Sequence, residues 1–255
     1  MKEVPKYKVI FEGPESGEFA LVIPVINEGD RISSLLRKIK DLKLSNLDVL
    51  IIDGGSTDHS LDHVKELGVN TLIVKIGEGK LGAQLRCAYD FCLQRKYRGV
   101  ITIDGNDKDD PEAIPRFIEK LNKGYDFVQA SRFIAGGHEI NTPFSRKLAI
   151  KFIHAPLLSL SSGFQWTDTT QGFRGYSRRL LESKELDIFR DVFRNYELLF
   201  FLSHAAPKHG FKCIELPTKR IYPQGKVPTK ISRISGNFSV LKTLIKVVFG
   251  EYDKK

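Results

Sequence analysis

This 255-residue sequence predicts an α/β fold, a mainly parallel Rossmann-like sheet with helices on both faces, followed by a more irregular half. Two observations carry that reading. Short continuous apolar runs, as strands buried on both faces require, alternate with stretches of helical spacing through the first half. Clusters of glycine, carboxylates and cations follow the apolar runs, at the carboxyl ends where an open parallel sheet binds its ligands.

The first strand is 19–25, an unbroken apolar run, followed by a helix over 32–42 and a short buried strand over 48–52. The alternation continues with a helix over 60–67, a strand over 71–75, a long helix over 80–95, a strand over 99–103, a helix over 112–123 and a strand over 126–130. Strands separated by helices in this way build right-handed βαβ units. After Ser131 the rhythm breaks. Helices over 145–160, 178–184 and 196–208 surround strand-like pieces at 171–176 and 212–217. No Pro/Gly/Ser-rich linker intervenes, so residues 19–235 read as one domain, with a nucleotide-type half (19–132) and an acceptor half (133–235). Residues 1–18 read as an N-terminal extension and 236–255 as a basic amphipathic helix and tail.

Composition excludes whole classes of protein. With 41% hydrophobic and 28% charged residues the chain is neither disordered nor fibrous. No run of roughly 18 apolar residues offers a membrane span, and the N-terminus lacks the apolar region of a signal peptide. Three cysteines without metal spacing point to a reducing, cytoplasmic location. The net charge is +9, of which +7 lies in 219–255. That excess suits an anionic partner: a phosphorylated substrate, or an acidic membrane on whose inner face the protein would lie peripherally. Nucleic acid is not expected, since RNA- and DNA-binding signatures are absent.

The strand ends hold the chemistry. Asn27-Glu28 ends the first, Asp53-Gly54-Gly55-Ser56-Thr57-Asp58 the second, and Gly77-Glu78-Gly79-Lys80 the third. Asp53 at a strand tip can accept from a base N–H or a ribose hydroxyl, while Ser56, Thr57 and Asp58 can cap a helix. Gly77 to Gly82 matches GxGxxG, but after the third strand rather than on the first βα turn, so its better role is a phosphate-facing helix start with Lys80 as counter-charge and Arg86 on the helix. Asp104 to Asp110 crowds four carboxylates and a carboxamide into seven residues. An EF-hand is excluded because Lys108 falls on a ligand position and Asp109 replaces the required glycine. Mg²⁺ or Mn²⁺ held by Asp104 and Asn106 fits better, since such ions take one or two carboxylates plus substrate phosphate oxygens; Asp109 and Asp110 can cap the next helix. His59 and His63 are read as a solvated pair and Cys87 and Cys92 as helix packing.

In order, Asn27-Glu28, Asp53 to Asp58, Gly79-Lys80…Ala83…Arg86, Asp104-Gly105-Asn106, Ala130-Ser131-Arg132, Asp168…Gly172-Phe173-Arg174 and Gly210…Glu215-Leu216-Pro217 resemble the motifs of family-2 glycosyltransferases, most nearly the dolichyl-phosphate mannose synthase and polyprenyl-phosphate branch. The resemblance covers about residues 19–230. It implies a GT-A fold and an inverting transfer of a sugar from a UDP-, GDP- or dTDP-linked donor, with a divalent metal, to a lipid-linked phosphate or saccharide in cell-surface glycan biosynthesis. It also implies a donor set of Pro24, Asn27, Glu28, Asp53, Gly55, Lys80, Arg86, Asp104 and Gly105.

Arg132 and Arg146 match positions that cradle an acceptor phosphate, with Arg220 and Lys230 beside them; two guanidiniums give bidentate oxyanion recognition. An ionised phosphate acceptor needs no general base, whereas a sugar hydroxyl does, with Asp168 as candidate and Glu197 in reserve. Trp166 is open to either sugar stacking or the core. The chain departs from the family at Asp104-Gly105-Asn106, which removes one charge from Asp-x-Asp, with Asp107 available to restore it. Lys108 stands where a glutamine is usual and could contact phosphate, lessening metal dependence. The rival readings are a sugar-phosphate nucleotidyltransferase and a non-catalytic basic binder. The segment 237–249, with Phe238, Leu241, Leu244, Ile245 and Val248 on one side, can lie on a bilayer or on the protein's own core.

Overall fold

The computed structural model describes residues 2–223 and 235–253. The first half runs β1 (Tyr7–Glu12), β2 (Phe19–Val25), α1 (Asp30–Asp41), β3 (Leu47–Asp53), β4 (Thr71–Lys75), α2 (Leu81–Gln94), β5 (Gly99–Thr102), α3 (Ile114–Asn122) and β6 (Phe127–Ser131). The second holds β7 (His138–Ile140), α4 (Phe144–Ala149), α5 (Ala155–Ser162), β8 (Arg174–Ser177), α6 (Arg178–Leu181), α7 (Glu197–Lys208), β9 (Cys213–Pro217), β10 (Lys219–Ile221) and α8 (Ser235–Val248). One eight-stranded sheet has the order β1-β4-β3-β2-β5-β8-β6-β9, and β7 and β10 form a separate parallel pair.

Apolar pattern explains the layers. Every residue of β3 is buried, as a strand covered on both faces must be. On one face α1 offers Ile32, Leu35, Leu36 and Ile39 at helical spacing to Leu21, Ile23 and Ile51. On the other, α2 and α7 pack on Ala20, Val22, Leu50 and Ile52. Full burial of each such side chain stabilises by ~1.5–3 kcal/mol.

Register decides where the site lies. Val25 of β2 sits opposite Asp53 of β3, so the turns after both strands leave the sheet together. Strand β8 runs antiparallel between β5 and β6, with Arg174 facing Thr102 and Gln129. That brings residues 168–172 against the loop that follows β5. An antiparallel bridge between Asp109 and Arg220 joins that loop to β10.

Three expectations are corrected, and the segment 237–249, open between a bilayer and the core, packs on the core. The segment 60–67 is a run of turns: His59 has a positive φ, Asp58 holds Ser60, and Val64 is its one fully buried apolar residue, too little to stabilise a helical nucleus. The helix expected over 145–160 is interrupted by a π-helical turn at Ile150–His154; Pro156 at the start of α5 has no N–H to continue the ladder. Residues 1–18 contribute β1, antiparallel to β4 at the sheet's edge. In α8, Leu244 and Val247 are buried in the core with Val240, Leu241 and Val248 partly buried against it, while Phe238 and Ile245 are exposed. Among the described residues no helix is long and apolar enough to cross a membrane.

Candidate active site

The donor side is built from the ends of β2 and β3. Asn27 has a left-handed backbone, φ 49°; its side-chain oxygen accepts from the Thr57 N–H at 2.7 Å and its own N–H donates to Ser56 Oγ at 3.0 Å. Asp53 accepts from the Ser56 N–H and from Ser56 Oγ at 2.6 Å. Gln84, which sequence reasoning missed, donates to the carbonyls of Val25 and Ile52, both at 3.0 Å, and so clamps Pro24 and its neighbours. The result is a stiff crevice of backbone and Asx turns. Glu28 is buried and accepts from Arg31, and Gly55 takes a positive φ in the second turn. Lys80 is exposed at the start of α2, its N–H held by the Arg194 carbonyl.

Arg86 is corrected. Its guanidinium is fully buried between the Glu3 carbonyl and Asp191, so it ties the N-terminus to the 191–195 segment and offers nothing to a donor.

The loop after β5 brings the two halves together. Gly105 packs closely on the first turn: a Cβ there would lie 3.1 Å from Val25 Cγ2 and 3.2 Å from the Pro24 carbonyl oxygen. At Gly172 a Cβ would lie 2.1 Å from Asp104 Oδ1, so a side chain there would have to displace that carboxylate. Asp104 Oδ2 accepts from Arg220 Nη2 at 3.2 Å, and buried Asp109 accepts from Arg220 Nη1 at 2.5 Å. Burial, against the pull of Arg220, raises Asp109 to about 6. The left-handed φ of Asp107 turns its carboxylate outward to Ser34 and Lys38, which corrects the expectation that it restores the missing charge. Burial and then Arg220 lower the Lys108 ammonium, with Tyr222 and Asp104 opposing.

The acceptor side centres on a residue that sequence reasoning missed. Tyr222 OH accepts from Arg132 Nη1 at 3.3 Å and from Arg146 Nη1 at 3.2 Å, and the ring lies 5.3 Å from Lys108 Nζ and 5.7 Å from the Arg220 guanidinium carbon. Burial would raise this phenol, but Arg220, Arg132 and Arg146 outweigh it and bring it down to about 8. The available signal was two-residue periodicity on β10, which puts Tyr222 on the same face as Arg220. Lys230 lies outside the described residues.

Asp168 is corrected as a base. Fully buried, it accepts from Arg132 Nε at 2.7 Å, from Gln171 Nε2 at 2.7 Å and from Thr170. Burial would raise its carboxyl, but Arg132 and these hydrogen bonds hold it below the usual range, so it positions Arg132 and is a poor proton acceptor. Glu215, a motif residue given no role from the sequence, accepts from the N–H groups of Thr167 and Asp168 and is pushed by burial to about 7. Glu197 accepts from the Asn195 N–H at the entry to α7. Trp166 is buried against Phe127 and Phe164 with its Nε1 on the Ser203 carbonyl, which settles it as core. His59 and His63 are exposed and pair with Asp62 and Glu66.

Among the described residues no three His, Cys, Asp or Glu side chains converge as a metal cluster. Asp104 contributes one carboxylate and Asn106 a carboxamide oxygen, itself accepting weakly from the Lys108 N–H at 3.3 Å. Such a set fits a divalent ion that arrives with most of its shell from a substrate diphosphate, not one bound beforehand.

The sequence matches the family model described as glycosyl transferase family 2 over residues 20–183. It is 27% identical to a dolichyl-phosphate hexose transferase of Haloferax volcanii over 92% of this chain and 95% of that one. It is 25% identical to a polyprenol monophosphomannose synthase of Mycolicibacterium smegmatis over 77% and 75%. Among solved structures, glucosyl-3-phosphoglycerate synthase of Mycobacterium tuberculosis, crystallised with Mn²⁺, UDP-glucose and phosphoglyceric acid, superposes with a TM-score of 0.62 at 16% identity, covering 92% of this chain and 79% of that one. The fold is thus of GT-A type.

Proposed function

The chain belongs to glycosyl transferase family 2, and from that premise we propose that it moves a sugar, with inversion, from a nucleoside diphosphate donor to the phosphate of a polyprenyl-type lipid. The observation that carries this reading is the convergence of Arg132 and Arg146 on one phenol oxygen, 3.3 and 3.2 Å away. Two buried or half-buried guanidiniums aimed at one point suit an oxyanion. The named substrates of the relatives, dolichyl and polyprenyl phosphates, are of that class.

The mechanism follows from what the side chains can do. The nucleoside lies in the crevice of Asn27, Glu28 and Asp53, with the diphosphate toward Lys80 and the Asp104 loop. An acceptor phosphate oxygen, already anionic and held by Arg132 and Arg146, attacks the anomeric carbon from the face opposite the leaving group. The bond to the diphosphate oxygen breaks and its electron pair leaves with the nucleoside diphosphate, with no proton to remove. This suits an Asp168 already committed to Arg132. Mg²⁺ or Mn²⁺, when bound with the donor at Asp104 and Asn106, would neutralise diphosphate charge.

A lipid acceptor also accounts for surface chemistry. Around Arg146, exposed Phe144, Leu148 and Phe152 follow one another at four-residue intervals along α4 and the π turn, and exposed Leu160 lies further on in α5. An apolar stripe of that kind beside a phosphate site suits contact with a bilayer surface from the side that supplies the donor.

The test is a donor panel of UDP-, GDP- and dTDP-sugars with polyprenyl phosphate in detergent or vesicles. Labelled sugar in the organic phase, lost in Arg146→Ala, is expected. Donor turnover that yields only free sugar, or release of inorganic diphosphate from a nucleoside triphosphate and a sugar phosphate, would overturn the reading.

A further inference from the structure

The acceptor seat is already taken. Arg132 is held on two of its three guanidinium nitrogens: Nε donates to Asp168 at 2.7 Å, and Nη2 to Asp168 at 3.3 Å and to Thr170 Oγ1 at 3.2 Å. The third, Nη1, donates to Tyr222 OH at 3.3 Å, and Arg146 Nη1 reaches the same oxygen at 3.2 Å. The Arg132 guanidinium carbon lies 5.3 Å from the centre of the Phe133 ring. Among these partners its side chain is 1% exposed, so a phosphate reaches it only if one of them yields. Asp168 is the least able to, since it is buried, paired with the guanidinium, and held by Gln171 Nε2 at 2.7 Å and, through its own N–H, by Glu215 at 3.0 Å. Moving it would strand a buried charge. Tyr222 offers one oxygen to two long hydrogen bonds. Its backbone is fastened to β7 and the turn after it, the N–H donating to the Ile140 carbonyl at 2.9 Å and the carbonyl accepting from Asn141 Nδ2 at 3.2 Å. What can move is the ring, by rotation about its side-chain bonds.

From this arrangement we propose that Tyr222 is the placeholder of the acceptor seat: its hydroxyl occupies the point that an acceptor phosphate oxygen must take, and the phosphate enters by displacing it. The proposal rests on the phosphate-acceptor reading and deepens it by naming the residue that sets which anions hold the seat. A phenol oxygen is neutral and single, whereas a phosphate monoester brings close to two charges and three acceptor oxygens to the same pair of guanidiniums, so the exchange favours the phosphate. The phenol nevertheless taxes every ligand, because an anion binds only the fraction of molecules in which the ring has swung away, and its apparent Kd rises by the inverse of that fraction. Free phosphate, which binds through the guanidiniums alone, is thereby kept largely out. An acceptor phosphate gathered at a lipid surface has a high local concentration and overcomes the same tax. After transfer the phosphate has become a diester with one charge fewer, and the phenol reclaims the arginines from it.

The experiment uses the full chain with the donor found in the panel above, at about pH 7, where a phenol titrating at about 8 is mostly neutral. Inorganic phosphate binding is measured by calorimetry, and the acceptor KM and the product inhibition constant by transfer to polyprenyl phosphate. In Tyr222→Phe all three constants are expected to fall together, by one common factor of about 5- to 30-fold, as removal of a shared competitor requires. A merely structural tyrosine would instead leave them unchanged or raise them along with a lower Tm. Tyr222→Leu, which has no ring to accommodate, carries the same expectation, so the outcome does not depend on one variant folding. Weaker phosphate binding in both variants would show the hydroxyl to be part of the phosphate's own ligand set, and unchanged binding would show that it blocks nothing; either overturns the proposal while transfer by the parent chain keeps the glycosyltransferase reading. Absence of transfer to polyprenyl phosphate by the parent with every donor fails that reading itself.

Discussion

Tyr222 gathers the acceptor arginines, and its titration gives the site a pH response whose sign can be worked out. Arg220, Arg132 and Arg146, outweighing burial, place its phenol at about 8, below the ~10 of an unfolded tyrosine. A depressed acidic group favours folding above its unfolded pKa, and that contribution is lost as pH falls through the folded value. Stability should therefore rise between about pH 8 and pH 10, and Tyr222→Phe should remove the rise in thermal melts. Function should move the other way. Above about pH 8 the phenolate competes with the acceptor phosphate for the same guanidiniums, so the acceptor KM climbs there while the donor KM does not; a flat acceptor KM from pH 7 to 9.5 would refute this. The Asp168–Arg132 pair makes a different kind of prediction. Asp168→Ala leaves a buried guanidinium without its carboxylate, which costs about 3–5 kcal/mol, and transfer should fall in step with a lower Tm. A general base would instead show lost kcat at an unchanged Tm.

At the scale of elements, α8 and the α4–α5 region face different surroundings. In α8, Leu244 and Val247 are buried in the protein's own core. Leu244→Ala should cost about 2–5 kcal/mol, and deletion of the helix should read as a fall in Tm rather than as simple release from vesicles. The α4–α5 stripe is the opposite case, with Phe144, Phe152 and Leu160 each more than 70% exposed. Substituting serine at these three positions should leave Tm within about 2 °C, as exposed sites usually do, and lower flotation with anionic vesicles. Unchanged flotation would remove the bilayer from the account. These elements also show why the sequence was unevenly legible. Strands β2, β3 and β4 are short, largely apolar runs, with α1 between the first two and α2 after the third, so their order and their tips could be read directly. The acceptor half depends on long-range pairing. That β8 enters antiparallel between β5 and β6, and so sets Gly172 against Asp104, leaves no local signature. Pro156 was visible, but not that the chain would absorb it as a π turn.

Across the whole molecule, the donor crevice is held from the edge of the sheet, through an N-terminus that reads in isolation as a loose extension. Strand β1 covers the edge of β4, and the Lys6 carbonyl accepts from the N–H groups of Ile76 and Gly77 at 2.8 and 2.9 Å. That fastens the approach to the Lys80 turn, where a Cβ on Gly77 would meet the Lys6 nitrogen at 2.9 Å. The Glu3 carbonyl accepts from the fully buried Arg86, whose other partner, Asp191, belongs to the segment whose neighbouring Arg194 carbonyl holds the Lys80 N–H. Removing residues 2–12 therefore does three things at once. It opens an unpaired strand edge, leaves a buried guanidinium short of an acceptor, and frees the turn from which α2 starts. A buried charge stripped of a partner costs about 3 kcal/mol or more, which for a chain of this size lowers Tm by roughly 6–12 °C. Nucleoside diphosphate affinity should fall in the surviving folded fraction, since the Lys80 turn has lost its anchor, whereas Glu3→Ala, which keeps the carbonyl and loses only the carboxylate that accepts from the Asp191 N–H at 2.6 Å, should lower both by less. A truncated chain that melts within about 2 °C of the parent and binds nucleotide equally well would show that the edge strand supports nothing in the site.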